Sequence, residues 1–129
     1  MVIYIIDTYG WIKYLIGTEQ GQVLRKLFQK NNKFITMECC LSELKSYCLR
    51  KGIDFSIIYK SVKKNSVILP VLITNWLDAS DIKHKMRENI KDFGLIDSIL
   101  ISKQNELQSH IISGDRHFKG LKNVVYIGP

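Results

Sequence analysis

Five short apolar segments, separated by stretches with helical spacing, constrain the fold of this 129-residue chain more than any other feature. The segments are continuous rather than alternating and rich in isoleucine and valine, which is typical of parallel strands covered on both faces. They span residues 2–6, 34–37, 67–73, 110–113 and 124–127. Strands that alternate with helices predict helices on both faces of a parallel sheet. We therefore expect an α/β fold, a three-layer α/β/α sandwich with about five parallel strands, in a single domain over residues 1–129.

The stretches between these segments carry apolar residues at helical spacing. Four such stripes precede the third predicted strand, and Gly52 is the expected end of the third helix. A longer stripe over residues 79–93 predicts one long helix with Asn75 as its N-cap. Residues 95–107 form a sixth, more apolar helix.

Charge and composition narrow the class of protein. The chain has 19 Lys and Arg against 12 Asp and Glu, a net charge of +7. This indicates a polyanionic partner, although a solvated basic surface without a ligand remains an alternative.

The three cysteines of the chain fit neither a disulfide framework nor zinc-site spacing. No apolar run approaches the roughly 20 residues of a membrane span, and Asp7 interrupts the apolar start. We expect a soluble cytoplasmic protein without membrane contact.

Four carboxylates are predicted to converge on one edge of the sheet. Asp7 ends the first strand, and Glu43 lies in the opening turns of the helix that leaves the second strand. Asp97 is in the first turn of the helix that precedes the fourth strand, and Asp115 comes two residues after that strand. All four positions lie at the carboxyl ends of the strands, where ligands bind to open parallel sheets.

Each of these carboxylates also has a simpler interpretation. Glu43 and Asp97 complement helix dipoles, Asp7 can be an N-cap, and Asp115 can be a turn residue. Together, however, they form a cluster of like charges, which requires a cation. Because Mg²⁺ and Mn²⁺ prefer oxygen ligands, the cluster predicts a site for one of these ions.

Four segments, in this order, resemble the four acidic motifs of PIN-domain nucleases. They read IIDT at residues 5–8, LSEL at 41–44, GLIDSIL at 94–100 and IISGDRHF at 111–118. The resemblance covers essentially the whole chain, and its length resembles that of the VapC-like toxins of toxin–antitoxin pairs. It implies metal-dependent hydrolysis of RNA phosphodiester bonds by an endoribonuclease. The implied partners are an RNA substrate and a small antitoxin, and a homodimer is left open.

The resemblance also implies roles for individual residues. Asp7, Asp97 and Asp115 would hold Mg²⁺ or Mn²⁺, and Glu43 would complete the metal's shell or orient the attacking water; these four are the expected catalytic residues. Behind them, the hydroxyls of Thr8 and Ser113 would hold the ligating carboxylates in place. Arg116 and Lys119 are the first candidates for contact with RNA, although both could be part of a solvated turn.

His117 and Ser113 depart from the pattern of the family. Family members often carry an aspartate at the position of His117 and a threonine at that of Ser113. Ser113 keeps the hydroxyl, but His117 removes a possible ligand, so the number of metal ions is left open. His117 could touch phosphate or act as an acid; we expect an exposed turn histidine without a catalytic role.

Two other functions remain as alternatives. The first is a catalytically weak or inactive RNA-binding or RNA-processing protein with the same fold, because His117 weakens the site. The second is a receiver-like phosphoacceptor domain, which has a similar length and class. Such a domain requires two adjacent acidic residues after the first strand and an aspartate at the end of a central strand. Here Asp7 is followed by Thr8, and the third predicted strand ends without an acid.

Overall fold

The computed structural model describes all 129 residues and contains five strands and six α-helices. The strands are β1 (Ile3–Ile6), β2 (Lys33–Met37), β3 (Val67–Leu69), β4 (His110–Ser113) and β5 (Val124–Tyr126). The helices are α1 (Thr8–Leu15), α2 (Glu19–Phe28), α3 (Glu38–Lys51), α4 (Phe55–Asn65), α5 (Ile73–Met86) and α6 (Leu95–Leu107). A short 3-10 turn, Arg116–Phe118, follows β4.

All strand pairs are parallel, and the strands lie in the order β3-β2-β1-β4-β5. β1 is therefore the central strand and pairs directly with β4, with Ile6 opposite Ile112. A doubly wound domain of the receiver type has the strand order 2-1-3-4-5. The observed order differs from it, so the receiver-like alternative does not describe this chain.

Apolar side chains fill both faces of the sheet, as its continuous apolar strands require. One core cluster contains Ile6 and Ile112 with Trp11 of α1, Leu24 of α2 and Leu44 of α3. The other contains Ile5, Ile35 and Ile111 with Leu100 of α6 and Phe118. The predicted three-layer α/β/α sandwich with five parallel strands is thus confirmed.

Glycine and proline determine where two of the elements end. Gly52 ends α3 with a φ of 67°, in the left-handed conformation that glycine adopts without steric cost, as predicted. The predicted third strand over residues 67–73 was too long. β3 stops at Leu69 because Pro70 follows and has no N–H to donate to the neighbouring strand.

The long helix predicted to begin at Asn75 was wrong at both ends. α5 begins at Ile73 and ends at Met86. Asn75 is a buried residue of its first turn, and its side chain accepts a hydrogen bond from the Leu72 N–H at 3.2 Å. It also donates to Ser102 and Glu106 of α6, both at 3.1 Å. Asn75 therefore fastens α5 to α6, and its tertiary contacts outweigh its preference for the N-cap position.

Residues 87–94 form turns in place of the last part of the predicted helix. The Arg87 Nε donates to the Phe93 carbonyl at 2.8 Å, which closes this connection between α5 and α6. Phe93 is fully buried, and its ring centre lies 6.0 Å from that of Phe118. The periodic apolar residues are indeed buried or half-buried, but those after Met86 lie in a turn that leads to the Asp97 motif and not in a helix. None of the six helices is both long enough and apolar enough to span a membrane.

Candidate metal centre

Asp7 lies at the end of the central strand and is almost completely buried, with 5% of its surface exposed. Its Oδ1 accepts a hydrogen bond from the Gly10 N–H at 2.7 Å, so Asp7 also caps α1. Its Oδ2 accepts one from the hydroxyl of Ser113, which the pairing of β1 with β4 brings to its side. Each carboxylate oxygen has a second lone pair that stays available to a cation.

Burial raises the pKa of Asp7 to about 7. The hydrogen bonds from Ser113 and Gly10 act in the opposite direction, while the charges of Asp115 and Asp97 add to the increase. A buried carboxylate near two others is costly to ionise, because desolvation and repulsion both favour its neutral form. The cost would be removed by a cation bound among the three groups.

Asp97 and Asp115 meet at the same edge of the sheet. Asp97 lies in the first turn of α6, and burial followed by the charge of Asp115 raises its pKa, against a hydrogen bond from His117. Asp115 caps the 3-10 turn through its Oδ1, which accepts from the His117 N–H at 2.9 Å. The Asp115 N–H donates to the Ser113 hydroxyl at 3.0 Å, so one serine positions both Asp7 and Asp115.

One cleft of about 240 Å³ brings the four predicted acids together. Its lining consists of Asp7, Thr8, Tyr9, Ile12, Glu43, Ile96, Asp97, Leu100 and Asp115. Glu43 reaches this cleft from α3 as an exposed side chain, and its Oε1 accepts a hydrogen bond from the Thr8 hydroxyl at 2.6 Å. Thr8 therefore holds Glu43, whereas Ser113 holds Asp7.

The donor set of the cleft fits a divalent cation of the magnesium type. Four carboxylates from four separate segments line it, and Mg²⁺ and Mn²⁺ are bound by such oxygen ligands. The pKa values of Asp7 and Asp97 are both raised, which is the response of carboxyl groups whose charge is poorly compensated.

The expectation that His117 is an exposed turn histidine was wrong. Its side chain is only 15% exposed, and its Nδ1 lies 2.9 Å from Asp97 Oδ2 and 3.5 Å from Asp115 Oδ1. Burial by itself lowers the pKa of His117, but the hydrogen bond to Asp97, the charge of Asp115 and the bond to Asp92 outweigh it and raise the pKa. The turn sequence does not reveal these partners, because all but Asp115 are distant in the chain.

Asp92 also belongs to the site, although no pattern in the sequence predicts it there. One of its oxygens lies 3.0 Å from His117 Nε2, and the other accepts from the Arg116 guanidinium at 2.8 Å. The apolar stripe over residues 79–93 predicts that Asp92 lies in the last turn of a long helix, and this prediction gives no contact with the fourth motif. Only the turn over residues 87–94 brings it there.

The two predicted RNA contacts lie outside the cleft. Arg116 is exposed and paired with Asp92, and the Lys119 Nζ lies 5.8 Å from the centre of the Tyr126 ring. Their contact with RNA stays a prediction. A third cation, Lys13, lies beside a residue of the cleft lining: its Nζ is 5.3 Å from the ring centre of Tyr9.

The raised pKa of Asp7 predicts a distinctive dependence of stability on pH in metal-free protein. Between its ordinary value of 3.8 and about 7, the folded state binds a proton that the unfolded state does not. Wild type should therefore gain stability relative to Asp7→Asn as the pH falls from 7 to 5, by about 1.4 kcal/mol per pH unit. In thermal scans with chelator, Asp7→Asn should melt higher at pH 8, and the gap should narrow by roughly 4 to 7 °C per unit below pH 7.

Asp81→Asn is the matched control, because Asp81 is an exposed aspartate on α5. Its melting temperature should keep a constant offset from wild type over the same range. A constant offset for Asp7→Asn as well would show that Asp7 is not a destabilised buried carboxylate.

Comparisons with known proteins show the fold. No protein-family model and no curated protein matches the sequence. Among solved structures, VapBC2 from Rickettsia felis, bound to a promoter DNA fragment, matches with a TM-score of 0.71 at 15% identity and covers 97% of both chains. VapC20 from Mycobacterium tuberculosis, described as a sarcin–ricin loop cleaving toxin, matches with a TM-score of 0.69 at 14% identity, covering 94% of this chain and 98% of that one. A toxin–antitoxin complex from Klebsiella pneumoniae matches with a TM-score of 0.68 at 14% identity, covering 96% and 97%. The chain therefore has the PIN-like fold of VapC toxin structures, as the resemblance of its four acidic motifs implied.

Proposed function

We propose that this chain is a metal-dependent endoribonuclease that acts as the toxin of a toxin–antitoxin pair, with residues 1–129 as one nuclease domain. The observation that carries the proposal is the convergence of Asp7, Glu43, Asp97 and Asp115 on one cleft at the carboxyl edge of the sheet. The VapC-like fold supports it, because the similar structures include toxin–antitoxin complexes and a toxin described as cleaving the sarcin–ricin loop. The proposed site of action is the cytoplasm.

Asp7, Asp97 and Asp115 are the proposed ligands of Mg²⁺ or Mn²⁺. When bound, such an ion supplies positive charge for the phosphoryl oxygens and lowers the pKa of water. Glu43 is the proposed acceptor for the proton of the attacking water. Its Oε1 is engaged by the Thr8 hydroxyl, which fixes the carboxylate and leaves Oε2 free to accept. The Ser113 hydroxyl fixes the position of Asp7 relative to Asp115, because it donates to the Asp7 carboxylate and accepts from the Asp115 N–H.

RNA binding is proposed to depend on the basic surface outside the cleft. Apart from the four clustered acids, the chain has 19 basic and eight acidic residues. An acidic cleft repels a phosphate backbone, so the surrounding lysines and arginines must compensate for it. Lys13 beside Tyr9 is one proposed contact, because an aromatic ring next to a cation offers both stacking and charge to a single strand. Arg116 and Lys119 remain proposed contacts.

A non-catalytic RNA-binding protein with this fold is the competing proposal. In this proposal the same basic surface binds RNA, but the carboxylates only cap helices and turns. Asp7 does cap α1, and Asp115 does cap the 3-10 turn. Cleavage assays separate the two proposals directly.

The purified protein should cleave single-stranded RNA in Mg²⁺ or Mn²⁺ and lose this activity in excess chelator. Asp97→Asn should reduce the cleavage rate by at least about 100-fold, because the ion's charge is worth several kcal/mol in the transition state. The measurement is a single-turnover assay on a labelled RNA at fixed ionic strength.

Asp81→Asn is again the control and should cleave at the wild-type rate. Cleavage that continues in chelator, or that is unaffected by Asp97→Asn, would contradict the proposed metal centre. RNA binding without cleavage in either ion would favour the non-catalytic alternative.

A small antitoxin is the proposed partner. The exposed apolar side chains of Ile73, Trp76 and Leu77 at the start of α5 offer a surface for such a partner or for a second copy of the chain. Because several similar structures are VapBC complexes, we propose that a short gene beside this one encodes the antitoxin.

Expression of the chain alone should arrest bacterial growth, and co-expression of the neighbouring short gene should restore it. Asp97→Asn should permit growth at the same protein level, since the arrest is attributed to cleavage. Colony counts with immunoblots for protein level measure both effects. Normal growth in the presence of abundant active enzyme would contradict the toxin role and favour an RNA-processing nuclease.

A further inference from the structure

His117 is held at both ring nitrogens by carboxylates from different segments. Nδ1 faces Asp97 at 2.9 Å and Asp115 at 3.5 Å, inside the acidic cluster. Nε2 faces the opposite way and lies 3.0 Å from Asp92 Oδ1. One ligand atom each from Asp97, Asp115 and His117 lie within 4.8 Å of one another, close enough for a single ion to contact all three.

The Asp92 contact matches the support that metal-binding histidines receive in proteins. A ligating imidazole almost always donates its outer N–H to a carboxylate, carbonyl or water, which fixes the tautomer and turns the other nitrogen toward the metal. Asp92 is placed to accept that proton from Nε2, and the Arg116 guanidinium holds its second oxygen at 2.8 Å. This second layer of contacts is independent of the acidic cluster itself.

The ring is also fixed by packing. Phe93 is fully buried, and its ring centre lies 5.8 Å from that of His117. The turn that carries both Phe93 and Asp92 is closed by the bond from Arg87 to the Phe93 carbonyl. His117 is therefore prepositioned by the connection between α5 and α6, with its Nδ1 directed into the cluster.

We propose that His117 Nδ1 is a metal ligand together with Asp97 and Asp115, so that the site selects a first-row transition-metal ion such as Mn²⁺ over Mg²⁺. Both ions accept carboxylate oxygens, but Mn²⁺, as a first-row transition ion, accepts an imidazole nitrogen more readily than Mg²⁺, which keeps oxygen ligands and water. The inference rests on the metal centre of the proposed function but not on RNA cleavage. In this chain, a histidine would take over the position at which the family often has an aspartate.

Asp92 and Arg116 are positioning residues in this proposal. Neither faces the three ligand atoms, and their effect runs through the orientation of the imidazole. Loss of such a supporting carboxylate typically weakens metal binding by 10- to 100-fold.

The test is binding of Mn²⁺ alone, followed by electron paramagnetic resonance, with Mg²⁺ as the competitor. Bound Mn²⁺ should show nuclear modulation from an imidazole ¹⁴N, and His117→Asn should abolish it. His117→Asp, which restores an all-oxygen site, should reduce the preference for Mn²⁺ over Mg²⁺ by about 10-fold or more. Asp92→Asn should weaken Mn²⁺ binding by at least about 10-fold and leave Mg²⁺ binding nearly unchanged.

His84→Asn and Asp81→Asn are the matched controls, since both residues are exposed on α5. Both should retain the ¹⁴N modulation and the wild-type ion preference. Bound Mn²⁺ without ¹⁴N modulation, or an ion preference unchanged in His117→Asp, would overturn the proposal. RNA cleavage that persists in that case would leave the proposed function intact, whereas ¹⁴N modulation without cleavage would support His117 as a ligand and refute the nuclease.

Discussion

The contact between the Ser113 hydroxyl and the Asp7 carboxylate is the interaction on which the rest of the site depends. The two residues are 106 positions apart in the chain and meet because β1 pairs with β4 in the middle of the sheet. The same hydroxyl accepts from the Asp115 N–H, so one serine sets the positions of the carboxylates that follow the two strands. Without this parallel pairing, Asp7 would be only a helix cap and Asp115 only a turn residue.

The electrostatics of the molecule follow from this convergence. A chain with a net charge of +7 places four of its 12 acidic residues in one cleft, where burial and mutual repulsion raise the pKa values of Asp7 and Asp97. The side chains nearest to this cluster that can carry positive charge are His117 and Arg116, and Asp92 contacts both. The protein's own side chains therefore compensate the negative charge of the cleft only in part, and a bound cation would compensate the rest.

The number of strands, their parallel arrangement and the edge at which Asp7, Glu43, Asp97 and Asp115 meet could be predicted from the sequence. These features depend on local apolar runs and on the geometry of parallel sheets, whereas the order of the strands in the sheet was not predicted. The prediction failed where tertiary contacts outweigh local preference. Asn75 is not the N-cap residue but lies in the first turn of α5, where it accepts from the Leu72 N–H and also binds Ser102 and Glu106 across a helix interface. Asp92 and His117 meet through a turn that continues a helical pattern of apolar residues, so no local signal separates it from a helix. The assigned roles of the carboxylates remain predictions.

The most direct test of a metal centre formed by the convergent carboxylates is anomalous diffraction from a crystal of the protein soaked in MnCl₂. We expect one strong anomalous peak in the cleft, within roughly 2.5 Å of carboxylate oxygens of Asp97 and Asp115. An unsoaked crystal should show no such peak. A soaked crystal with an ordered cleft and no peak in it, at Mn²⁺ concentrations that occupy other surface carboxylates, would contradict a metal centre formed by these carboxylates.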